Sequence, residues 1–204
     1  MSLFHQLKTH IPETWLRPYH YALARLAAWW YGYPARELIV IGVTGTNGKT
    51  TTSYLIAKTL EVTGFQTGCT TTAIMKVGKR EWLNRTKMTM PGRFFIQRTL
   101  RDMVKAGCRY AVIETSSQGL MQFRHLGIDY DVAVFTNLTS EHLEAHGSFE
   151  NYKQAKALLF QAVAKAVPKL LGGVLVPKVL VLNREDAQAD FYASDRPIEM
   201  LQRI

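Results

Sequence analysis

The stretch Val40-Ile41-Gly42-Val43-Thr44-Gly45-Thr46-Asn47-Gly48-Lys49-Thr50-Thr51-Thr52 decides the fold of this chain. An apolar strand leads into a glycine-rich turn, and Gly-Lys-Thr then opens a segment with helical character. This is the layout of a phosphate-binding loop, in which glycines let backbone N–H groups surround phosphate oxygens. Lys49 supplies a positive charge, and the Thr50 hydroxyl can hold Mg²⁺. The common pattern has glycine five places before Gly48, whereas Val43 stands there, so the loop is a variant.

The loop predicts a nucleoside triphosphate site with Mg²⁺. The alternative is an ordinary strand-to-helix turn, and it is disfavoured because Gly-Lys-Thr lies between an apolar strand and a helix. The residues predicted to surround the phosphates are Gly45, Thr46, Asn47, Gly48, Lys49, Thr50 and Thr51.

The composition limits the class of protein. A chain of 204 residues that is 47% hydrophobic fits one domain with an appendage. The two cysteines, Cys69 and Cys108, form no disulfide framework or metal motif, and the first residues lack a secretory pattern, so we expect reduced thiols and a cytoplasmic protein. The net charge of +9 suits a phosphate-rich ligand. Because no basic run is interleaved with aromatics, small anionic substrates are favoured over nucleic acid.

The organisation of the chain changes near residue 37. Residues 1–37 are predicted to be an N-terminal helical segment, and residues 38–204 an α/β domain. A helix over Trp15–Tyr33, ended by Pro34, would carry one apolar face made of Leu16, Tyr19, Leu23, Leu26, Trp30 and Tyr33. It is too short and too charged to span a membrane. Docking on protein is favoured, and contact with a membrane surface is the alternative, because aromatic residues and arginines lie together.

Strand-like and helix-like runs alternate from residue 38 onward. The predicted strands are Leu38–Val43, Thr67–Thr72, Tyr110–Ile113, Val132–Thr136 and Val179–Leu182, with a hairpin in Ala73–Leu83 turning at Gly78. The predicted helices are Lys49–Val62, Arg93–Lys105, Phe149–Val167 and Glu185–Tyr192. This order predicts a P-loop α/β fold with a mostly parallel, doubly wound sheet and helices on both faces. Ligands of such sheets bind at the carboxyl ends of strands.

Polar groups follow two of these strands. Glu114 ends the strand that begins at Tyr110, where a carboxylate near a triphosphate is a natural Mg²⁺ ligand. The segment from Asn137 to Gly147 holds two histidines, His142 and His146, and two acids. These side chains could bind a metal or form a solvated loop, and the sequence leaves both interpretations open.

Lys156 is the most informative single side chain. It lies in the middle of a helical apolar stripe formed by Phe149, Tyr152, Leu159, Phe160 and Val163. Its stem could pack while its amine reaches solvent. The alternative is a buried amine with a lowered pKa, which can add CO₂ to become a metal-binding carbamate.

Five motifs together resemble the Mur ligase family, and within it the UDP-N-acetylmuramoyl-tripeptide synthetase (MurE) branch. They are Gly45-Thr-Asn-Gly-Lys-Thr50, Glu114-Thr-Ser-Ser-Gln-Gly119, Phe135-Thr-Asn-Leu-Thr-Ser-Glu-His142, His146-Gly147 and Tyr152-x-x-Ala-Lys156-x-x-Leu-Phe160. The resemblance covers roughly residues 38–190. It implies an ATP-dependent ligase of peptidoglycan precursor synthesis, which phosphorylates a carboxylate of a UDP-MurNAc-peptide and joins the acyl phosphate to an amino acid.

The resemblance also implies roles for individual residues. Lys49, Glu114, His142 and Lys156 would be the catalytic residues, and Thr50, Glu114, His142 and carbamylated Lys156 would hold Mg²⁺. Asn183 would lie near the nucleotide. Thr89, Ser116, Gln122 and Arg124 would contact the UDP-muramoyl substrate, although Met90 replaces the second threonine of the family's Thr-Thr-Pro segment.

Two features depart from the family and leave alternatives open. Residues 1–37 stand in place of the usual UDP-binding domain, and the central domain would be incomplete at Ile204, so missing domains or a partner chain would be required. The alternatives are a related ligase, similar to folylpolyglutamate synthetase or MurT, and a non-catalytic nucleotide-binding module.

Overall fold

A computed structural model describes residues 13–140, 146–193 and 201–203 of the chain. The strands are β1 (Ile39–Thr44), β2 (Thr67–Thr70), β3 (Ile74–Val77), β4 (Arg80–Leu83), β5 (Tyr110–Glu114), β6 (Val132–Phe135), β7 (Lys169–Leu171), β8 (Val174–Val176), β9 (Val179–Leu182) and β10 (Leu201–Arg203). The helices are α1 (Glu13–Trp30), α2 (Lys49–Val62), α3 (Arg93–Lys105), α4 (Ser117–Met121), α5 (Phe149–Lys165) and α6 (Ala189–Ala193), and Pro34–Glu37 forms a 3₁₀ turn.

The main sheet has eight strands in the order β10-β9-β6-β1-β5-β2-β3-β4. The strands from β10 to β2 are parallel, and the hairpin of β3 and β4 adds two antiparallel strands at one edge. The predicted α/β class, the mostly parallel sheet and the hairpin turning at Gly78 are confirmed. Because β1 lies at the centre of the parallel strands, its carboxyl end is where a doubly wound sheet opens a ligand crevice.

Alternation along the central strands builds a core on each face of the sheet. Val40 of β1 belongs to the larger core, which includes residues of α3 and α5. Ile41 and Val43 belong to the second core, which includes Ala57 of α2. Since successive strand residues point to opposite faces, a strand buried on both sides reads as a continuous apolar run. Helices therefore cover both faces, as predicted.

Gly42 lets α5 approach the centre of β1. A Cβ atom at this position would lie 2.8 Å from Leu159 Cδ1 and 2.8 Å from Tyr130 Cε1. That spacing is shorter than any ordinary carbon–carbon contact, so a larger residue would push α5 away from the sheet. This close approach brings the side chains of α5 next to the glycine-rich loop.

The predicted apolar face of α1 is wrong at three of its six positions, whereas Leu16, Leu23 and Tyr33 are partly buried. Tyr19, Leu26 and Trp30 are 56%, 45% and 68% exposed, and the buried face is formed by Ala24, Ala27 and Ala28. The reason is close packing, because the Ala28 Cβ lies 2.4 Å from where a Cβ on Gly127 would be. Small residues permit this approach, whereas aromatic side chains would prevent it. None of the described helices is long and apolar enough to cross a bilayer.

Helix α1 also ends earlier than predicted, at Trp30 instead of Tyr33. Gly32 and Tyr33 adopt left-handed conformations, and the Tyr33 N–H donates to the Ala28 carbonyl. This is a common way for a helix to end before proline.

Several elements in the carboxyl-terminal half differ from the sequence-based expectation. The hairpin of β7 and β8, strand β10 and the short helix α4 were not predicted. Helix α6 begins at Ala189 instead of Glu185, because the side chains of Asn183 and Asp186 accept hydrogen bonds from the backbone N–H groups of Glu185 and Gln188. Such local side-chain bonds favour turns over helix. The division of the chain at residues 37 and 38 stays a prediction.

A buried charge cluster lies at the amino-terminal edge of the sheet. Asp131 accepts hydrogen bonds from Lys169 Nζ at 2.6 Å, Lys178 Nζ at 2.7 Å and the Val40 N–H at 2.8 Å. Lys169 also donates to the carbonyls of Ala35 and Leu38. The cluster therefore joins β7 and the start of β9 to β1 and β6.

Candidate active site

The glycine-rich loop is held in shape by the segment that follows β6. The N–H groups of Thr46 and Asn47 donate to the backbone carbonyl and the side-chain oxygen of Asn137, at 2.8 and 2.9 Å. The Asn47 carbonyl accepts from Thr136 Oγ1 at 2.8 Å and from Asn137 Nδ2 at 3.2 Å. Thr136 and Asn137 therefore fix the backbone of the loop from the neighbouring strand end.

Gly45 is the loop position that only glycine can occupy. Its φ is +154°, and an added Cβ would lie 1.9 Å from Thr136 Oγ1. Gly48, with φ of +78°, is the N-cap of α2. The first N–H groups of α2 have no intrahelical partners, so this end of the helix favours anions.

Two lysines converge on the loop from different helices. Lys49 Nζ, at the start of α2, donates to the Thr46 carbonyl at 2.6 Å. Lys156 Nζ, in the middle of α5, donates to the Gly45 carbonyl at 2.7 Å and lies 4.2 Å from the centroid of the Tyr152 ring. Two lysine amines therefore lie at the place where the loop predicts negatively charged phosphates.

The amine of Lys156 is buried, as its position in the apolar stripe indicated. The residue is 1% exposed. Burial, and to a smaller extent the charge of Lys49, lowers the pKa of Lys156 to about 7. A large fraction of this amine is therefore neutral near pH 7, whereas a lysine in water is almost fully charged.

Glu114 connects the loop to the neighbouring strand. Its carboxylate is 2% exposed and accepts from Thr50 Oγ1 at 2.9 Å, the Thr72 N–H at 2.7 Å and Thr72 Oγ1 at 3.2 Å. Thr72 Oγ1 lies 2.8 Å from Thr89 Oγ1. A chain of polar groups thus runs from the loop to Thr89.

The donor set fits a magnesium ion. Thr50 and Glu114 place a hydroxyl and a carboxylate together beside the loop, and Mg²⁺ prefers oxygen ligands of this kind. Within residues 13–140, 146–193 and 201–203 no group of three or more His, Cys, Asp or Glu side chains could hold a metal. The predicted ligand His142 lies outside the described residues.

A cleft of about 240 Å³ opens beside the loop and collects most of the predicted residues. Its walls are formed by Gly45, Lys49, Thr89, Ser116, Ser117, Gln118, His146, Tyr152 and Lys156. Ser116 Oγ caps α4 by accepting from the Gly119 N–H. Ser117 Oγ lies 3.0 Å from His146 Nε2, and the His146 ring packs on Tyr152. Residues from four parts of the chain therefore meet in one cleft.

The predicted substrate contacts Gln122 and Arg124 lie together, next to Met90. Arg124 Nη2 donates to Gln122 Oε1 at 2.7 Å, and Arg124 Nη1 donates to the Met90 carbonyl. The Met90 side chain is buried under Gly119. Met90 therefore contributes packing here, where the family's threonine would offer a hydroxyl.

Asn183 lies at the carboxyl end of β9, at the same edge of the sheet. Its side-chain Nδ2 donates to the Thr136 carbonyl at 2.8 Å. Asn183 thus supports the segment that holds the loop, and its predicted contact with a nucleotide stays a prediction. Thr51 is exposed on α2.

Sequence reasoning missed several residues that shape the site: Thr72, Arg93, Ser117, Thr136 and Asn137. Each lies at or near an element boundary, and three of them, Ser117, Thr136 and Asn137, belong to motifs that were quoted for other reasons. Their position at strand ends was a signal for Thr72, Thr136 and Asn137, because all carboxyl ends of the parallel strands meet at this edge.

The fold and the loop together define an α/β domain of the P-loop class. The Mur ligase middle domain matches residues 43–197 of the chain. The chain is 44% identical over 186 residues to a UDP-N-acetylmuramoyl-L-alanyl-D-glutamate–2,6-diaminopimelate ligase of Halalkalibacterium halodurans. It is 41% identical over 183 residues to a UDP-N-acetylmuramyl-tripeptide synthetase of a Roseiflexus species. The chain therefore belongs to the Mur ligase family.

These alignments take in most of this chain but a minor part of each relative. They cover 91% and 87% of the chain and 36% and 35% of the two relatives. The chain thus spans about a third of the length of the curated relatives it matches.

Solved structures agree with the family. A UDP-N-acetylmuramoyl-L-alanyl-D-glutamate–2,6-diaminopimelate ligase aligns with a TM-score of 0.66 and 34% identity, over 82% of this chain and 31% of that one. A folylpolyglutamate synthase of Mycobacterium tuberculosis, complexed with ADP and AMPPCP, aligns with a TM-score of 0.63 and 16% identity, over 88% of this chain and 46% of that one. At 16% identity the second likeness concerns the fold alone.

Proposed function

We propose that this chain is the ATP-binding part of an amide ligase of peptidoglycan precursor synthesis. Its acceptor is a UDP-MurNAc-peptide that ends in D-glutamate, the acceptor in the name of the 44% identical relative. ATP phosphorylates a carboxylate of that peptide, and the amine of an incoming amino acid then displaces phosphate to form an amide.

One observation carries this proposal: the buried amine of Lys156 lies against the glycine-rich loop, 2.7 Å from the Gly45 carbonyl. A loop that binds phosphate needs one lysine, and Lys49 fills that place. A second, buried lysine with a lowered pKa is typical of a functional site, and here it lies where a negatively charged phosphoryl group would be transferred. Such an amine also suits conversion to a carbamate.

The residues of the site would act by positioning and by neutralising charge. The N–H groups of the loop and the start of α2, with Lys49, bind the phosphates of ATP. Ser116 and Thr89 line the same cleft and would place the acceptor carboxylate near the terminal phosphate. Alignment of this kind can account for about 7–11 kcal/mol of a barrier. Little covalent participation by the protein is required.

We infer that Thr50 and Glu114 hold Mg²⁺, together with His142 and carbamylated Lys156. When bound, the ion would neutralise charge that develops on the transferred phosphoryl group. Glu114 already accepts from Thr50, so the two oxygen ligands are in place for the ion. Because ATP and UDP-linked precursors are the reactants, we also infer a cytoplasmic location.

The exposed side of α1 adds contact with a membrane surface to the proposal. Trp29 and Trp30 are exposed beside Arg25, a combination that suits a membrane surface. Sedimentation with anionic vesicles tests this contact. Binding that survives Trp29→Ala together with Trp30→Ala would contradict it.

The nucleotide site is tested by Lys49→Ala. Loss of the charge near the β- and γ-phosphates should weaken MgATP binding at least tenfold, or about 1.4 kcal/mol. Calorimetry measures the affinity, and circular dichroism checks the fold. Lys105→Ala, on the exposed surface of α3, is the matched control. Equal affinity in Lys49→Ala and wild type would reject the loop assignment.

The reaction is tested by phosphate release from ATP. We expect no such release from the 204-residue chain alone. When the further domains of the ligase or a partner chain are supplied, we expect release that depends on both UDP-MurNAc-L-alanyl-D-glutamate and an amino acid, surveyed with a panel of amino acids. Release supported instead by a folate and glutamate would favour the folylpolyglutamate synthetase class. ATP binding with no release under either condition would favour a non-catalytic module.

A further inference from the structure

Thr72 joins the candidate magnesium ligand Glu114 to the cleft residue Thr89. It lies just after β2, and its N–H and Oγ1 donate to the two oxygens of the Glu114 carboxylate, at 2.7 Å to Oε2 and 3.2 Å to Oε1. Its Oγ1 also lies 2.8 Å from Thr89 Oγ1. Thr89 is one of the described residues that form the walls of the cleft, whereas Thr72 is not. Thr72 can therefore affect a molecule in the cleft through its two neighbours.

The hydroxyl protons of Thr72 and Thr89 have one consistent arrangement. A hydroxyl group has one proton and two lone pairs, and a carboxylate can only accept. The Thr72 proton goes to Glu114, because a hydrogen bond to a charged acceptor is stronger than one between two hydroxyl groups. Thr89 must then be the donor in the bond between the two threonines. Its single proton is used within the protein, so its oxygen can offer a molecule in the cleft only lone pairs.

Asn84 fixes the spacing of the two threonines. Its buried side chain donates through Nδ2 to the carbonyl of Thr71 at 2.7 Å and to the carbonyl of Met88 at 3.0 Å. These two carbonyls belong to the residues immediately before Thr72 and Thr89. One amide group thus ties together the two backbone segments, and these segments hold the two threonine hydroxyl groups at hydrogen-bonding distance.

We propose that Thr72 is a positioning residue that makes Thr89 accept a hydrogen bond from the UDP-MurNAc-peptide, from the N–H of the peptide bond that precedes the terminal D-glutamate. This inference rests on the proposed function. Lys49 and Lys156 line the same cleft and suit the anionic oxygens of the reactants, whereas the lone pairs of Thr89 would repel those oxygens. This N–H is the hydrogen-bond donor that lies closest to the carboxylates of the D-glutamate. Its bond to Thr89 would hold the D-glutamate beside the phosphate site.

The test uses two peptide substrates that differ in this one group. They are UDP-MurNAc-L-alanyl-D-glutamate and its ester analogue, in which an oxygen replaces the peptide nitrogen and the N–H donor is lost. Saturation-transfer NMR, which detects weak binding, measures the affinity of the 204-residue chain for each substrate. We expect wild type to bind the ester about tenfold more weakly than the amide, because one hydrogen bond is lost and two oxygens with lone pairs face each other.

Two variants of Thr72 test its control of the Thr89 hydroxyl. Thr72→Val removes the hydroxyl group, so the Thr89 proton can turn toward the cleft and donate to the ester oxygen. This variant should bind the ester more tightly than wild type does, and should bind ester and amide with nearly equal affinity. Thr72→Ser keeps the hydroxyl group and should recover the preference for the amide. Damage to the fold would lower both affinities and would not improve ester binding.

A second comparison shows whether Thr72 acts through Thr89. Thr89→Val removes the oxygen that accepts the bond, so it should also lose the preference for the amide. Adding Thr72→Val to Thr89→Val should leave the ratio of the two affinities unchanged, because both substitutions act on the same bond. Thr59→Val, on the exposed surface of α2, is the matched control and should bind both substrates like wild type. Circular dichroism of all variants checks folding.

Four results would overturn this role of Thr72. They are equal affinity of wild type for ester and amide, a Thr72→Val chain with the preference of wild type, a Thr72→Ser chain that behaves like Thr72→Val, and no binding of the amide substrate by wild type. The proposed function fails in a different way, through phosphate release that ignores the peptide substrate and the amino acid when the further domains are supplied.

Discussion

Lys156 shows how a single residue can be set apart by its surroundings. Its amine is surrounded by the α5 helix, the Tyr152 ring and the loop, and the charge of Lys49 opposes its protonation. An ordinary lysine would keep its proton and stay in water. Burial of this amine therefore lowers the free energy of unfolding of the chain, and such unfavourable burial is typical of functional sites.

The lowered pKa of Lys156 predicts a pH-dependent stability. Its pKa is about 7 in the folded chain and 10.5 in the unfolded chain, so the unfolded state binds more protons between these values. The destabilisation is full below about pH 7 and decreases as pH rises toward 10.5, by at most about 1.4 kcal/mol per pH unit. Urea unfolding of wild type and Lys156→Met at pH 6.5 and 8.5 measures this.

We expect wild type to gain stability relative to Lys156→Met over that interval. Added ¹³C-bicarbonate should give a carbamate resonance in wild type that is absent from Lys156→Met. A stability difference that does not change with pH, and the same spectrum for both proteins, would contradict the prediction of a buried amine.

At the scale of residues, the sequence predicted the placement of a side chain best where its position carries a chemical conflict. Lys156 in an apolar stripe and Glu114 at a strand end are such positions. Arg93 and Thr72 carry no conflict in the sequence, because an arginine after glycine and a threonine among threonines are ordinary. Their roles arise from Gln122 and Glu114, which are distant in the chain.

Helix α1 is the element whose packing the sequence predicted wrongly. Hydrophobicity alone predicts that the aromatic face of α1 is buried. How closely the helix approaches the rest of the protein depends on side-chain size, and alanines allow the closest approach. Size matching depends on the partner surface, here Gly127, which periodicity cannot reveal. The strands β1, β5, β6 and β9 were predictable because a strand buried on both faces must be continuously apolar.

The alanine face of α1 predicts an overpacking effect. Ala28→Leu should destabilise the chain by about 1–3 kcal/mol, because its added carbons would meet the backbone at Gly127. Ala22→Leu, on the exposed side, is the matched control and should change stability by less than about 0.5 kcal/mol. Urea unfolding measures both, and equal effects would show that α1 does not dock through its alanines.

At the scale of the whole molecule, one polar cluster lies at the carboxyl ends of the strands and another at their amino ends, and the two have different roles. The carboxyl edge holds the candidate active site, and the amino edge holds Asp131 between Lys169 and Lys178. The first cluster leaves groups available for a ligand. The second satisfies its carboxylate with protein donors and links the hairpin of β7 and β8 to the central strands.

Asp131→Asn should therefore destabilise the chain without altering its nucleotide site. Removing the carboxylate leaves two buried lysine amines without their counter-charge, a change that costs roughly 3–5 kcal/mol. Thermal unfolding measures the loss, and MgATP affinity is measured well below the unfolding temperature. Asp129→Asn, which pairs at the surface with Arg36, is the control and should have a small effect. A large loss of ATP affinity in folded Asp131→Asn would contradict the separation of the two ends.

The attachment of the glycine-rich loop to Thr136 and Asn137 has a consequence for the entropy of binding. A free loop of glycines and small polar residues would lose conformational freedom when it closed around phosphates, at about 1–2 kcal/mol per ordered backbone residue. Here four hydrogen bonds from the segment after β6 have already imposed that order during folding. Phosphate binding therefore does not have to offset the entropy cost of ordering this backbone, because that cost is already included in the free energy of folding.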